Sequence, residues 1–189
     1  MRAVQTRGVF GQPSAHTNTK FSQEAVSAGF SGERATADLI DGYGSQAMIF
    51  HGLKLPIKLR TDIDHLIVRD NAVFAIDSKY WSAGRYWALG GNLYRGLSKI
   101  STPQAMTQAV NALVAMLDNA PDHINVLTVV HSKGHRARIG SSARKLAQPM
   151  VAASAAYSII DRWLQEHPGE PDQLLASQLL GIYRLGFGR

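Results

Sequence analysis

The sequence predicts a mixed α/β fold in which a central sheet is flanked by helices. Short apolar strands cluster in the first half, amphipathic helical segments stand on either side of them, and one more buried strand follows at 124–130. The order is therefore helix, several strands, helix, strand and two helices. A chain of 189 residues has the size of one domain with a real core.

The first helical segment is predicted from Ser22 to Asp41. It is expected to break near Gly29 and to restart at Ser31, which suits an N-cap, with Glu33 in the first turn where the helix dipole favours an acid. The preceding segment, 1–21, is polar and broken by glycine and proline, so loose order is expected there. The single domain is then expected to cover 22–189, with its core at about 31–130.

The strands are recognised by short apolar runs with alternating faces. Asp70-Asn71 forms the turn of a predicted β-hairpin between two of these strands. The predicted strands comprise 47–53, 62–69, 72–81 and a pair around 86–94.

Three helices are predicted in the second half of the chain. Thr102 is expected to cap the first of them, with Pro103 at its first helical position. The helical C-terminal part, 142–185, is predicted as two helices, 142–166 and 171–185.

Composition excludes several classes of protein. The chain has no cysteine, which excludes disulfides, thiolate zinc sites and cysteine nucleophiles. The N-terminal residues lack the apolar core of a signal peptide, and no apolar stretch is long enough to span a bilayer. A cytoplasmic location without membrane contact is therefore the expectation.

The charge is positive and unevenly distributed. Twenty Lys and Arg stand against fourteen Asp and Glu, which leaves a formal charge of +6 that suits a polyanionic partner. The segment 131–145 contains no acid. It is either a solvated basic loop or a strip that contacts nucleic-acid phosphates, through Lys133, Arg136, Arg138, Arg144 and Lys145.

Three charged side chains interrupt the two central strands. Strand residues alternate faces, so Asp77 and Lys79 project together at the end of an apolar run. With a turn at 70–71, Asp64 and Asp77 become cross-strand neighbours. Two facing carboxylates repel unless a divalent cation lies between them, and hard oxygen ligands suit Mg²⁺ or Mn²⁺. The alternative is structural, with Asp64 and Lys79 paired and Asp77 capping the strand.

These residues resemble the signature of a known family. Gly32-Glu33, Asp62-Ile63-Asp64-His65 followed by an apolar strand, and Asp77-Ser78-Lys79 after 73–76 are similar to the motifs of the NERD (nuclease-related domain) family. That family is placed in the PD-(D/E)xK nuclease-like superfamily. The resemblance covers about 31–130 and implies a restriction-endonuclease-like core.

The resemblance also implies roles for individual residues. Asp64 and Asp77 would be metal ligands, Lys79 the catalytic lysine and Glu33 the first-helix carboxylate. A glutamine on the helix after the core strands would complete the site; Gln104 and Gln108 are the candidates, and Gln108 is preferred.

Together these features predict a Mg²⁺- or Mn²⁺-dependent nuclease that hydrolyses DNA phosphodiester bonds. RNA is the alternative nucleic-acid partner. A homodimer would suit cleavage of both strands. The leading alternative is a nucleic-acid-binding or assembly module that keeps the fold without cutting, and a second is a hydrolase of another phosphorylated substrate.

Overall fold

The computed structural model describes residues 5–7, 23–58 and 61–187, without the side chains of 5–7, 23–28, 135 and 187. Within these ranges the chain forms four α-helices and ten strands in two sheets. The predicted mixed α/β fold class is confirmed. The helices are α1 (Gln23–Ile40), α2 (Ala105–Val114), α3 (Ala153–Glu166) and α4 (Gln173–Phe187). The strands are β1 (Gln5–Arg7), β2 (Met48–Leu53), β3 (Ile63–Arg69), β4 (Ala72–Tyr80), β5 (Gly84–Leu89), β6 (Asn92–Arg95), β7 (Ser98–Ile100), β8 (His123–His131), β9 (Ala137–Ile139) and β10 (Met150–Ala152).

The large sheet has six strands in the order β1-β2-β3-β4-β8-β10. Its middle is antiparallel from β2 to β4, whereas β4, β8 and β10 run parallel. Apolar residues of β3 and β4 alternate between two cores. One core packs against α2 and α4, and the other packs against α1 and α3. Strand β4 lies between these helix layers, and this position buries most of its length.

The small sheet has four strands in the order β7-β6-β5-β9. The predicted strand pair around 86–94 is confirmed as β5 and β6, which pair antiparallel. One face of the small sheet covers a third core that includes Tyr86, Leu93 and Met150. Residues 81–83 connect it to β4, and 132–136 connect it to β8.

Several predicted helix boundaries were wrong. α1 runs through Gly29 and Ser31 without a break, because packing on β4 stabilises the helix beyond its local sequence preference. α2 begins two residues after Pro103, and no side chain caps it.

The predicted helix 142–166 was too long. Its first part is a 3-10 turn, Ser141–Lys145, followed by β10, and only the remainder is helical. β10 pairs with β8, a long-range interaction that overrides the local helical pattern of Ala and Ser. Of the predicted loose segment 1–21, residues 5–7 pair in parallel with β2, and the rest lies outside the described residues. None of the helices in the described ranges is long and apolar enough to cross a membrane.

Candidate active site

The two predicted carboxylates lie at the ends of neighbouring strands. The hairpin pairs His65 with Ile76 through to Arg69 with Ala72, which confirms the predicted register around the turn at 70–71. Continued by one residue, this register sets Asp64 opposite Asp77. The backbone N–H of Ser78 donates to Asp64 Oδ2 at 2.8 Å, so the carboxylate of Asp64 is held against β4.

Lys79 projects on the same face as Asp77. Its Nζ donates to Asp77 Oδ1 at 2.5 Å, while 39% of the lysine side chain stays exposed and only 6% of the aspartate side chain does. Burial lowers the pKa of Lys79, but the negative charges of Asp77 and Asp64 outweigh it, and the net pKa is raised. Lys79 is therefore a protonated amine that solvent can reach, next to two carboxylates.

The second oxygen of Asp77 is held by two buried donors. Gln148 Nε2 donates to Asp77 Oδ2 at 3.1 Å, and Thr128 Oγ1 donates to the same atom at 3.2 Å. Gln148 is 1% exposed and also donates to Thr128 Oγ1 at 2.7 Å. Its own Oε1 accepts hydrogen bonds from Thr107 at the start of α2. These contacts fix the orientation of the Asp77 carboxylate.

The glutamine that holds Asp77 was not among the candidates that the sequence offered. Gln108 and Gln104 both have exposed side chains, Gln108 on α2 and Gln104 just before it. Gln148 lies in the turn before β10, which was predicted as helix. Pro149 disfavours helix at the preceding Gln148, a local signal that the helix prediction overlooked, but no local pattern shows that Gln148 reaches Asp77.

Asp64 is the residue of the site whose pKa is raised most. Burial raises the pKa of its carboxyl, the charge of Asp77 raises it further, and Lys79 lowers it only in part, so that the pKa is about 8. Glu33 adds a smaller repulsion. Two carboxylates kept together in this way favour a bound cation.

Glu33 reaches the site from α1. Gly32 lets this helix approach the end of β4 closely, because a Cβ there would lie 3.2 Å from the backbone nitrogen of Tyr80. Burial raises the pKa of Glu33, Lys79 lowers it, and Asp62 and Asp77 raise it again. The charge of Glu33 therefore interacts with the charges of Asp77 and Lys79 on β4.

A chain of hydrogen-bonded polar side chains, most of them buried, lies behind the site, on the other face of β4. Ser78 Oγ donates to Thr36 Oγ1 at 2.8 Å, and His65 Nε2 lies 3.0 Å from Ser78 Oγ. His65 Nδ1 is 2.8 Å from Nδ1 of His51, whose other nitrogen is 3.0 Å from Asp41 Oδ1.

The far end of this chain is His131 of β8, whose Nε2 is 2.8 Å from Thr36 Oγ1. Burial and the neighbouring histidines hold the pKa of His65 well below its usual range, so His65 is neutral. The sequence motif contained His65 but assigned it no role. Its position one residue after Asp64, facing the opposite side of β3, was the available signal.

The predicted basic residues lie outside the sheet that carries the carboxylates. They belong to the small sheet and its turns, where all five side chains are exposed: Lys133 and Arg136 around a 3-10 turn, Arg138 on β9, and Arg144 and Lys145 in the turn after it. The structure therefore brings Asp64, Asp77 and Lys79 together, with Glu33 in range of their charges, and places the basic residues on the small sheet and its turns.

The donor set suits a cation with an open coordination shell. In the described part of the chain, no group of three or more His, Asp or Glu side chains is arranged to enclose a metal ion. Asp64 and Asp77 instead offer two hard carboxylates next to the partly exposed Lys79, and oxygen ligands of this kind suit Mg²⁺ or Mn²⁺ with water in the remaining positions.

Comparison with known proteins identifies the family of the chain. The family model described as NERD, nuclease-related domain, matches residues 28–132. The match runs from α1 to the end of β8 and so contains Glu33, Asp64, Asp77 and Lys79, whereas Gln148 and β9 lie beyond it. Searches of curated proteins and of solved structures gave no significant match.

Proposed function

This chain belongs to the NERD (nuclease-related domain) family, and we propose that it is a divalent-metal-dependent nuclease that hydrolyses DNA phosphodiester bonds. The observation that carries the proposal is the group Asp64, Asp77 and Lys79. They stand on one face of the β3–β4 hairpin, the aspartates under mutual repulsion and the lysine partly exposed. This arrangement has the chemistry of a PD-(D/E)xK-type site.

Asp64 and Asp77 are the ligands that would hold Mg²⁺ or Mn²⁺. Each carboxylate already has one oxygen anchored, Asp64 by the Ser78 N–H and Asp77 by Gln148 and Thr128. Anchored ligands lose little freedom on binding, which favours affinity. When bound, the cation would supply Lewis acidity and a water of lowered pKa at the phosphodiester.

Lys79 is the residue that would act directly on the reacting groups. Its ammonium can donate to a phosphate oxygen or orient the attacking water. It would also stabilise the negative charge that develops on the phosphoryl oxygens. In the structure its partner is Asp77 Oδ1, and 39% of the lysine side chain is exposed. The partly exposed Nζ can therefore turn towards a substrate.

Two further residues would support the site without touching the reacting atoms. Glu33 adds negative charge beside Lys79 and, after Asp77 and Asp64, contributes to the raised pKa of the amine. Gln148 positions Asp77 and takes the part that the sequence analysis gave to Gln108. The exposed basic residues of 133–145 would contact the nucleic-acid backbone, since Lys and Arg neutralise phosphates and release counterions.

The first test is DNA cleavage with Mg²⁺ or Mn²⁺, comparing the wild type with Asp77→Ala and Lys79→Ala. Linear, supercoiled and single-stranded DNA should each be tried. We expect both substitutions to lower the cleavage rate by about 100-fold or more, because each removes charge stabilisation from the transition state. Asp38→Ala, which removes an exposed carboxylate of α1, is the control and should cut like the wild type.

Metal binding separates the remaining outcomes. Calorimetry should detect Mn²⁺ binding to the wild type and to Lys79→Ala but not to Asp77→Ala. Cutting that survives both substitutions would point to a contaminant or to another site. Salt-sensitive DNA binding by all variants, without cleavage or metal binding, would refute the enzyme and favour the non-cleaving binding module.

A further inference from the structure

The small sheet has an outer face turned away from its core. Strand residues alternate, so the face opposite buried Tyr86 and Leu93 is formed by other side chains. Its members pair across strands: Arg85 with Arg138 between β5 and β9, Trp87 with Tyr94 between β5 and β6, and Tyr94 with Lys99 of β7. We call these residues the outer face: Arg85, Trp87, Tyr94, Lys99 and Arg138.

The charge of this part of the molecule is entirely positive. Residues 82–102 and 132–148, which include the small sheet, contain no Asp or Glu. They contain eight of the twenty Lys and Arg, so the rest of the chain has twelve basic residues against fourteen acidic ones. The net positive charge of the protein is therefore concentrated here, where it attracts a polyanion.

A cavity of about 460 Å³ opens at one end of the outer face. The described residues that line it are two glycines and three arginines: Gly84, Arg85, Gly134, Arg136 and Arg138. Two like charges directly opposite on paired strands destabilise a sheet, and the lining offers them no carboxylate. A phosphate would relieve this repulsion and would match the paired donors of a guanidinium.

Beside the arginines lies a pair of stacked aromatic rings. Trp87 and Tyr94 have ring centroids 4.7 Å apart and planes 19° from parallel, and both remain partly exposed. The indole N–H of Trp87 donates to Gly96 O at 2.7 Å, which fixes the ring. Fixed, accessible aromatic rings next to cations are the usual means of binding single-stranded nucleic acid, because bases stack on them.

The outer face is connected to the candidate active site through β4 and β8. Gly84 follows Lys79 by only five residues, and Trp81 between them donates its backbone N–H to His131 O at 2.8 Å. Gly84 N–H in turn donates to Arg136 O at 3.1 Å. The cavity is thus built directly on the strand ends that present Asp77 and Lys79.

We propose that the outer face binds an unpaired stretch of nucleic acid, with a backbone phosphate in the Arg85–Arg136–Arg138 cavity and a base stacked on the Trp87–Tyr94 pair. This inference rests on the proposed nuclease function, because it names an unpaired strand as the substrate of that nuclease. A duplex keeps its base faces inside the helix, so it can occupy the cavity but cannot use the aromatic pair.

The test is binding without cleavage, measured by fluorescence anisotropy in EDTA. The probes are a labelled single-stranded DNA of about 15 nucleotides and the duplex of the same sequence. The phosphate variant is Arg85→Gln with Arg138→Gln, and its control is Arg162→Gln with Arg184→Gln, which removes two exposed arginines from α3 and α4. Circular dichroism checks that each variant folds.

A second pair of variants tests stacking. Trp87→Leu with Tyr94→Leu removes the aromatic pair, with Tyr94→Leu alone as the milder form if the double variant does not fold. Tyr157→Leu, at a half-exposed tyrosine of α3, is the control.

We expect the wild type and both controls to bind single-stranded DNA more tightly than duplex. The phosphate variant should bind both probes about 10-fold more weakly. Its salt dependence on the single strand should be shallower by about 0.7 for each phosphate that the protein no longer neutralises. The stacking variant should lose about 10-fold for the single strand only, with an unchanged salt slope.

Equal affinity for both probes, or wild-type binding by both variants, would overturn the inference. Neither result depends on metal or cleavage. If Asp77→Ala loses cleavage while the outer-face variants bind normally, the nuclease function stands and this inference fails. If single-strand binding needs the outer face but no metal-dependent cutting occurs, the inference stands and the nuclease function fails.

Discussion

Strand β4 presents charged side chains on one face and neutral polar side chains on the other. Asp77 and Lys79 project towards α2 and Gln148, together with Asp64 of β3. On the opposite face, Ser78 joins a hydrogen-bonded chain that includes His65. Both faces bury polar groups. One face pairs a lysine with carboxylates, whereas the other joins hydroxyl groups and histidines by hydrogen bonds.

The neutral face is closed. Thr36, His51 and His65 are fully buried, and Ser78 is nearly so. Across the described residues, no buried side-chain nitrogen or oxygen lacks a hydrogen-bond partner. Polar groups that are satisfied in this way add rigidity and have no remaining need for a ligand.

The charged face remains open and electrostatically unbalanced. Lys79 compensates only one negative charge, while Asp64 keeps a raised pKa and Glu33 lies nearby. A site that is both repulsive and accessible has free energy to gain from a cation. The two faces of β4 therefore differ in that one satisfies its polar groups internally, whereas the other keeps a carboxyl with a raised pKa.

The largest expected effect is on the closed face. His65→Leu removes one buried partner each from Ser78 and His51, so we expect the free energy of unfolding to fall by about 1–3 kcal/mol. Urea denaturation measures it, with His123→Leu at the exposed start of β8 as the control. A fall no larger than that of the control would show that the histidine chain contributes little to stability.

The next prediction concerns the connection between Gln148 and the open face. Gln148→Ala removes the donor that orients Asp77, and we expect Mn²⁺ affinity to fall by about 10-fold, as for other residues that orient metal ligands. Gln108→Ala should leave the affinity unchanged, because its side chain is exposed. Calorimetric titration distinguishes the two, and the reverse result would restore Gln108 to the site.

The last prediction concerns a pH dependence of stability without metal. The folded protein holds the Asp64 proton more tightly than the unfolded chain, so this residue contributes stability below its ordinary pKa of about 4. That contribution is lost as the pH rises to about 8. Asp64→Asn should therefore gain stability relative to the wild type across this range.

Thermal unfolding of both proteins in EDTA measures the difference in melting temperature at each pH. Addition of Mn²⁺ should reverse it in favour of the wild type, because only the carboxylate binds the cation. A difference that stays constant from pH 4 to pH 8 would contradict the raised pKa of Asp64.

Sequence reasoning succeeded where the relevant interactions are local. The turn at 70–71, with Asp70 in the left-handed region at φ 48°, sets the register of the β3–β4 hairpin. Strand alternation then gives the shared face of Asp77 and Lys79. Both features depend on residues a few positions apart, so the pattern of the sequence was sufficient to predict them.

The same reasoning failed where distant segments meet. Gln148 reaches Asp77 across 71 residues, and β10 pairs with β8 from a distant part of the chain. The segment 142–152 has a helical composition, yet sheet pairing overrides it.

By itself, the amino-acid sequence determined the fold class, the hairpin and the side-by-side placement of Asp64, Asp77 and Lys79, because the chain geometry of neighbouring strands requires them. Only the tertiary structure decided which glutamine holds Asp77, that His65 joins a buried chain from β2 to β8, and that the basic residues lie on the sheet that carries Trp87 and Tyr94 and on its turns. These contacts join segments that are far apart in the chain, and their free energy comes from burial and hydrogen bonding that exist only after the sheets have assembled.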